Sequence, residues 1–425
     1  MRLAVITRLP PMKMAEADHA LCLCQRLAGA NVDVHVLTDV ESISVSSPGL
    51  SISPIMRDWS WRDWPRMRRF LKTVAPDAVL LFYLGRMYHF HPMLTYAPTL
   101  VKKRAPQTRF VTQFSAPYGS GCWEGAWMTR LLRRLAHKWA GTVDVDLCFG
   151  TLLRDSDRII VFSDSHRKKL AARLPAVNQK SVLIPPPPFL RMSSENADLH
   201  RRRVREQFQI GENDFLLAYF GYIYAGKGLE TLLKSVQIAA KTHPQLRLLL
   251  IGGVPTWSAE ARAYPEVLSN MAKELGIEGR LAWTGDYPWD SDLGSSYLRA
   301  TDLCVLPFDW GVHLNNSSFS AAASHGLPIL STRAEYVEPA FVHEENVFLC
   351  PPKDPAAMAA AIERLADDAG LRLRLREGVR RMAQEWFSWE RVIERTLATL
   401  TTDRTPEMTR PIAAERNGPC LVGRD

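Results

Sequence analysis

The chain has 425 residues and a mass of 48.0 kDa, more than a single hydrophobic core usually holds, so we expect two domains and a tail. Hydrophobic residues make up 46% and charged residues 23% of the chain, which excludes disordered and collagen-like classes. The net charge of +8 is uneven, because residues 1–190 hold 26 Lys and Arg against 14 Asp and Glu. This excess predicts an anionic partner for the first half.

The compartment can be predicted from what the sequence lacks. The N-terminus has no signal-peptide hydrophobic core, and no stretch reaches the roughly 18 apolar residues of a membrane span. The seven cysteines are scattered and form no C-x-x-C pair, which indicates reduced thiols. We therefore expect a cytoplasmic protein.

The first half predicts a parallel sheet with helices on both faces. Short apolar runs alternate with helix-like segments, an order typical of β-α-β units. The predicted strands are residues 3–7, 32–38, 77–84, 109–114 and 158–163. Because a proline run such as 185–188 carries no regular hydrogen bonding, we predict that the first domain covers residues 1–190.

The same pattern starts again in the second half. The predicted strands are residues 215–220, 247–253, 281–285, 302–308 and 327–332. The fold class is therefore α/β, with two Rossmann-like domains. We place the second domain at residues 191–385 and expect helix 386–401 to pack back on the first domain. Residues 402–425 are predicted to be a disordered tail.

A glycine-rich loop is the sharpest local motif. A predicted strand is followed by Gly221-x4-Gly226-Lys227-Gly228 and then by a helix, and amides at a helix start together with a lysine bind phosphate. The motif nearly matches the nucleotide-triphosphatase P-loop, but Gly228 replaces the Ser or Thr that holds magnesium there. The loop thus predicts phosphate binding and disfavours an ATPase. The alternative is a glycine-rich turn with a solvated lysine.

The second half resembles, in order and spacing, the C-terminal half of glycosyltransferase family 4. The resemblance is carried by FGYIYAGKGLETLLKS, LRLLLIGG, WTGDYPWDSDLGSSYLRATDLCVLPF, SHGLPILST, ENVFLCPPKDPAAMAAAIERL and WFSWERV. The first half is similar, more loosely, through SDRIIVFSDSHRKKL and VLIPPPP. The family implies the GT-B fold, in which two Rossmann-like domains face each other across a cleft and the nucleotide sugar binds to the C-terminal domain.

The resemblance assigns roles to the loops of the second domain. It implies that Lys227 neutralises the donor diphosphate and so stabilises the leaving group. Gly221-Tyr222 stands where the family often has a glycine-arginine pair, and Gly252-Gly253 and Thr284-Gly285 match turns that flank the base and ribose. The donor-binding candidates on these loops are Gly221, Tyr222, Lys227, Gly228, Gly253, Thr284 and Gly285.

Two glutamates that many family members carry are absent. Their positions hold His313 and Ala321, in a loop that reads DWGVHLNNSSFSAAASHGLP. The loop resembles a subgroup rich in Ser, Arg and Asn. His313 is a second catalytic candidate, and Asn315, Asn316, Ser317 and Ser318 are donor-binding candidates, since they can offer donors to a sugar or to phosphate at a helix start. The alternative is a polar capping loop without donor contacts.

The family further implies a reaction and its acceptor. It implies transfer with retention of anomeric configuration from a UDP- or GDP-linked sugar to a glycan or lipid-linked acceptor, in envelope or exopolysaccharide synthesis, without metal or other cofactor. Asp144-Val145-Asp146 has the spacing of a metal-binding triplet, and we interpret it as solvated charge. Acceptor candidates are Glu16, in a first-domain loop without glycine, and His89, for which an ordinary loop histidine is the alternative.

Two segments combine tryptophan with arginine, WSWRDWPRMRRFLK (59–72) and WEGAWMTRLLRRLAHKWAG (123–141). This mixture suits an anionic membrane surface. No RNA-binding motif accompanies it, so we expect no nucleic-acid partner. The alternative is a pair of amphipathic helices with solvated basic faces. A lipid-linked acceptor would fit a protein peripheral on the inner face of the membrane.

The sequence thus favours a retaining, metal-independent glycosyltransferase. The alternative from another class is a non-catalytic GT-B protein that binds a nucleotide or a partner without sugar transfer, which the missing glutamates support. A magnesium-dependent ATPase ranks third.

Overall fold

The fold is described from a computed structural model of the chain. It describes residues 1–402 except residues 13, 44–46, 118–144, 147, 194–196, 256–258 and 289–290. Within these described ranges, none of the helices is both long enough and apolar enough to cross a lipid bilayer.

The first domain is built on a parallel sheet. In the part of the chain that the structure describes, this sheet has seven strands in the order β3-β2-β1-β4-β5-β6-β7. All pairs are parallel, with Val5 opposite both Val36 and Leu80. The strands are β1 Arg2–Ile6, β2 Asp33–Asp39, β3 Leu50–Met56, β4 Ala78–Tyr83, β5 Arg109–Phe114, β6 Arg158–Val161 and β7 Ser181–Leu183.

Helices cover both faces of this sheet, as parallel strands buried on both sides require. They are α1 Ala15–Gly29, α2 Trp64–Val74, α3 Pro92–Thr95, α4 Ala97–Lys102, α5 Leu152–Asp155, α6 Asp164–Arg173 and α7 Val177–Lys180. Short 3₁₀ turns, Trp61–Asp63 and Gly85–Tyr88, precede α2 and follow β4.

The second domain repeats this design. Its sheet has, among the described residues, six strands in the order β10-β9-β8-β11-β12-β13. The strands are β8 Phe215–Phe220, β9 Leu246–Ile251, β10 Leu281–Trp283, β11 Leu303–Leu306, β12 Ile329–Thr332 and β13 Phe348–Cys350. The helices are α8 Ala197–Gln207, α9 Leu229–Ala239, α10 Ala259–Glu274, α11 Leu293–Ala300, α12 Ser317–Ser324, α13 Pro355–Asp367, α14 Ala369–Met382 and α15 Trp389–Thr401.

The last helix crosses back to the first domain. A π-helical turn, Ala383–Phe387, separates it from α14. Val392 and Leu400 of α15 join the hydrophobic cluster that holds α1 against the first sheet. The guanidinium of Arg26 lies 4.5 Å from the ring centre of Trp389, and Arg109 Nε donates to the Thr399 carbonyl over 3.0 Å. Burial of this apolar stripe ties the C-terminal segment to the first domain.

The predicted fold class, two Rossmann-like α/β domains, is confirmed. The strands missing from the prediction are β3, β7 and β13. Strand β3 contains Pro54 and alternates irregularly between buried and exposed residues, because it lies at a sheet edge where proline is tolerated. Strands β7 and β13 have three residues each, too few for a periodic pattern. Segment 123–141 and residues 403–425 of the predicted tail lie outside the described residues.

Candidate active site

A cleft of 350 Å³ lies where loops of the two domains meet. In an open parallel sheet, ligands bind outside the carboxyl ends of the strands, and the loops after β8, β9 and β10 reach the cleft from the second domain. The residues that line it are Met14, Ala15, Glu16, Asp18, Arg86, Phe189, Leu190, Phe220, Gly221, Tyr222, Tyr224, Lys227, Gly252, Gly253, Asp286, Tyr287, Ser291, Ser317, Ser318 and Ala321.

A larger hollow of 540 Å³ lies elsewhere on the first domain, against α2. Arg2 and Asp33, which line it, begin strands β1 and β2. The hollow runs from the amino ends of these two strands along the edge strand β3, where Ser53 and Ile55 line it. None of its lining residues lies in a loop after the carboxyl end of a strand, where such sheets bind ligands. Asp33 is already paired there with His35 over 3.1 Å. We therefore assign the chemistry to the smaller cleft between the domains.

The glycine-rich loop connects β8 to α9, as the motif predicts. Gly228 is the residue before the helix and has a φ of +74°. A Cβ on Gly228 would lie 1.8 Å from the Pro307 carbonyl oxygen, so only glycine lets the loop pass this carbonyl. Gly228 does not line the cleft; it supports the turn that carries Lys227 there.

Lys227 is half-buried at the lip of the cleft. Its ammonium lies 4.9 Å from the ring centre of Tyr224 and 5.2 Å from that of Phe308. Among the residues that the structure describes, Lys227 forms no ion pair with a carboxylate. Aromatic faces stabilise a cation without neutralising it, so the charge of Lys227 is available to an anionic ligand.

Hydrogen bonds connect the turn after β9 to the turn after β10. Gly252 N donates to Thr284 Oγ1 over 3.1 Å, and Gly252 and Gly285 form an isolated β-bridge. Gly253 lies against Asp286, whose Oδ1 would be 1.5 Å from a Cβ at position 253. Gly253 and Asp286 line the cleft, whereas Thr284 and Gly285 hold the turn behind them.

The first turn of α12 brings Ser317 and Ser318 into the same cleft. A Cβ on Gly221, which has a φ of +135°, would lie 2.6 Å from Ser318 Oγ, so the glycine-rich loop and α12 are in close contact. The amino end of a helix carries unpaired N–H groups and a partial positive charge. Together with Lys227 it forms an electropositive corner on the second domain.

Residues 313–316 lie beside this corner and do not line the cleft. His313 N donates to Asn316 Oδ1 over 2.6 Å, so the Asn316 amide stabilises its own loop. His313 Nδ1 lies 3.7 Å from Glu338 Oε2. The Asn315 amide nitrogen is 3.4 Å from Nε2 of His166 on the first domain. Burial lowers the pKa of His166 to about 3, so this imidazole is neutral.

The first domain contributes an acidic wall. Glu16 and Asp18 lie in the first turn of α1 and line the cleft with Arg86. Burial raises the pKa of Glu16, and the charge of Arg86 partly offsets this. Burial, together with the nearby charges of Asp18, Asp286 and Glu16, raises the pKa of Tyr222, which places this tyrosine of the second domain close to the acidic wall. His89 lies outside the cleft, in an exposed turn with a φ of +51°.

Asp18 predicts a pH-dependent stability. Burial and the charge of Glu16 raise the pKa of Asp18 to about 6. In the unfolded chain the pKa of this carboxyl group has its ordinary value of about 3.9. The folded state therefore binds more protons between these values, and stability falls as the pH rises from about 4 through about 6. We expect Asp18→Asn to raise the melting temperature by about 3–6 °C at pH 7.5, which corresponds to about 1–2 kcal/mol after solvent screening.

The measurement is thermal unfolding of wild type and Asp18→Asn at pH 4 and pH 7.5. At pH 4 the two melting temperatures should nearly coincide, because Asp18 is then protonated in the folded state. Glu41→Gln is the control, since Glu41 is exposed and lies outside the cleft. An equal shift at both pH values would show that the substitution acts through packing and not through charge.

Sequence reasoning missed several cleft residues. Asp286 directly follows Gly285 in a segment that carries the family resemblance, and Asp18 lies two positions after the acceptor candidate Glu16. An acidic side chain next to a candidate ligand-binding residue was their signal. Arg86 follows β4 in a 3₁₀ turn, where no motif marks it. Of the triplet Asp144-Val145-Asp146, which we interpret from the sequence as solvated charge, Asp144 lies outside the described residues, and Asp146 pairs with Arg173 over 3.0 Å. The described residues contain no group of three His, Cys, Asp or Glu side chains placed to hold a metal ion.

Known proteins are similar to the second domain in sequence and to both domains in fold. Residues 200–382 match the family model of glycosyl transferases group 1. A D-inositol 3-phosphate glycosyltransferase of Corynebacterium kroppenstedtii is 26% identical over 57% of this chain and 52% of its own length. A protein of the same name from Thermomonospora curvata is 30% identical over 48% of this chain and 46% of its own length. The chain thus matches about half the length of these curated relatives.

Structural similarity extends over both domains. The chain is similar to the crystal structure of Anabaena HepE in complex with UDP and glucose, with a TM-score of 0.65 and 13% sequence identity. The alignment covers 94% of this chain and 99% of the Anabaena chain. At this identity the likeness concerns the fold. The chain therefore has the two-domain GT-B fold, and its residues 200–382 form a domain similar to the glycosyl transferases of group 1.

Proposed function

We propose that the protein is a glycosyltransferase that moves a sugar from a nucleotide donor to a glycan or lipid-linked acceptor. The observation that carries this proposal is that Lys227 and the amino end of α12 lie in one cleft. Lys227 is a half-buried cation that has no carboxylate partner among the described residues. The two features offer charge and N–H groups to a diphosphate. The match of residues 200–382 to glycosyl transferases group 1 supports the same activity.

The proposed reaction retains the configuration at the anomeric carbon and uses no metal. The bond from the anomeric carbon to the diphosphate oxygen breaks, and a bond to the acceptor oxygen forms on the same face. The acceptor proton passes to the departing phosphate oxygen, whose charge Lys227 stabilises. His313 remains a catalytic candidate beside Glu338. We propose that Glu16 and Asp18, which line the cleft from the first domain, accept hydrogen bonds from acceptor hydroxyls.

The first experiment is thermal unfolding with UDP, GDP and ADP, with their sugar conjugates, and with ATP plus magnesium. A ligand that binds only the folded state raises the melting temperature. UDP is the first choice, because the similar Anabaena structure holds UDP. We expect stabilisation by one nucleoside diphosphate and its sugar conjugate. Stabilisation by ATP alone, with magnesium-dependent release of phosphate, would instead favour an ATPase.

The second experiment separates transfer from mere binding. Nucleotide release is measured with EDTA, with and without an acceptor, using D-inositol 3-phosphate, neutral oligosaccharides and a lipid extract as probes. A glycosyltransferase releases nucleotide only with its acceptor, and the anomer of the product reports retention. A folded protein that binds the sugar nucleotide and transfers nothing to any probe supports the non-catalytic alternative, which the His313 and Ala321 positions favour.

The exposed face of α2 supports the proposed membrane contact. Arg68, Arg69 and Lys72 are exposed along this helix, and Trp61, which is 45% exposed, lies in the turn before it. Arg104 lies 5.7 Å from the ring centre of Trp64 and extends the basic surface. Clustered basic residues near the surface of an anionic bilayer each contribute about 1 kcal/mol. We propose that this face holds the protein peripherally at the inner surface of the membrane.

We expect co-sedimentation with vesicles of phosphatidylcholine plus phosphatidylglycerol, and little with phosphatidylcholine alone. Substitution of glutamate for Arg68, Arg69 and Lys72 reverses the charge of this face and should abolish most of the binding to anionic vesicles. The control carries the same charge change on the second domain, at the exposed Lys234, Lys241 and Lys273. Equal loss of binding in both triple variants would point to net charge instead of the α2 face.

A further inference from the structure

Glu338 is a buried carboxylate that the sequence motifs do not mark. It lies in the segment between β12 and β13 and is fully buried. Its two oxygens accept backbone hydrogen bonds from two different domains. Oε1 accepts from Asp164 N of the first domain, and Oε2 accepts from Leu314 N of the second domain over 2.7 Å. A buried charge is tolerated only when it is hydrogen-bonded in this way.

On the first domain, Glu338 meets the amino end of a helix. Asp164 is the first residue of α6, where unpaired N–H groups and the helix dipole favour a carboxylate. A second contact lies beside it, because Tyr336 OH donates to Asp164 Oδ2 over 2.8 Å. Lys168 Nζ also lies 3.1 Å from the centre of the Tyr336 ring. Glu338 thus caps a helix that belongs to the other domain.

On the second domain, Glu338 holds the loop that leads into the cleft. Leu314 is buried, and two residues later Asn316 closes the turn before α12. The next residues, Ser317 and Ser318, line the cleft, and Ser318 contacts the glycine-rich loop. The position of the Leu314 amide therefore sets where the amino end of α12 stands relative to Lys227.

We propose that Glu338 is a positioning residue, which fixes loop 313–316 against α6 and thereby places the amino end of α12 for the donor diphosphate. The proposal rests on the proposed function. Glu338 also approaches the first residue of this loop, since its Oε2 lies 3.7 Å from Nδ1 of His313. It acts through the loop and does not itself line the cleft.

The test compares three single variants in the full chain. Glu338→Gln keeps the shape but turns an amide N–H₂ toward a backbone N–H, so one of the two bonds is lost. Tyr336→Phe removes only the hydroxyl bond to Asp164. Glu335→Gln is the matched control, since Glu335 is exposed in the same segment. Affinity for UDP and GDP is measured by calorimetry, and the donor KM and kcat are measured separately.

We expect Glu338→Gln to weaken nucleotide binding at least about tenfold, because the displaced amino end of α12 then loses a hydrogen bond to the charged diphosphate, which is worth about that factor. The donor KM should rise more than kcat falls. Glu335→Gln and Tyr336→Phe should bind as wild type does. A folded Glu338→Gln protein with wild-type affinity would overturn the proposal. So would an equal loss in Tyr336→Phe, because the effect would then come from domain contact in general.

Hydrogen exchange of the wild-type protein tests the same coupling without a variant. Addition of the nucleotide should slow amide exchange at residues 314–318 and also at residues 163–166, which do not line the cleft. Slowing at 314–318 alone would contradict the proposal. If wild type binds none of UDP, GDP, ADP and their sugar conjugates, the proposed function fails, and Glu338 is then judged in the free protein. There Glu338→Gln, or Glu338→Asp if Gln prevents folding, should speed exchange in both segments together, and unchanged exchange would refute the coupling.

Discussion

Removal of the Lys227 ammonium should weaken binding of the nucleotide by about 1.5–3 kcal/mol, the range for a hydrogen bond to a charged group, or about 10- to 150-fold in Kd. The side chain is half-buried over Tyr224 and Phe308, and no carboxylate among the described residues neutralises it. Its charge therefore remains available to a diphosphate. The affinity of Lys227→Ala and Lys227→Met for UDP and GDP would be measured by calorimetry.

The two substitutions at Lys227 separate charge from packing. Methionine keeps an apolar stem against the two rings and lacks only the charge, so both variants should lose similar affinity and Lys227→Met should keep the wild-type melting temperature. Lys234→Ala is the control, because Lys234 is exposed on α9, which follows the same loop. Unchanged affinity in a folded Lys227→Met protein would remove this lysine from the donor site.

Gly228→Ala should be the most destabilising change in the glycine-rich loop. Alanine at a φ of +74° is strained, and its Cβ would lie 1.8 Å from the Pro307 carbonyl oxygen and 2.8 Å from the carbonyl carbon. Since this neighbour is backbone, it cannot move aside like the end of a flexible side chain. Backbone strain and overpacking together cost about 2–5 kcal/mol. Thermal unfolding would measure the loss, and nucleotide titration would show whether the displaced loop still binds.

Gly226→Ala is the matched comparison within the same loop. Gly226 has a φ of +91°, but nothing lies within 4 Å of its Cβ position. The free energy of unfolding should fall only by the cost of holding alanine in this strained backbone conformation, about 1–3 kcal/mol. Equal destabilisation by both variants would mean that the Pro307 carbonyl relaxes and that backbone conformation alone explains the glycines.

The local parts of the site could be predicted because they are encoded within a few residues. The apolar run of β8, the glycines after it and the start of α9 are contiguous, and each follows its own steric rule. Lys227 was accessible to prediction for the same reason. The carboxylates of the first domain were harder to predict, since Asp18 lines the cleft together with Tyr222, which is more than 200 residues away in the chain.

The sequence by itself determined the two α/β domains and the glycine-rich turn between β8 and α9, because strand periodicity and glycine stereochemistry are local properties. Tertiary structure decided which loops share one cleft, and it placed His313, Asn315 and Asn316 beside that cleft instead of in its wall. It also placed Glu338 between Leu314 and Asp164, which is 174 positions away. Such contacts between distant residues depend on how the two domains pack against each other. A local pattern of residues does not predict that packing.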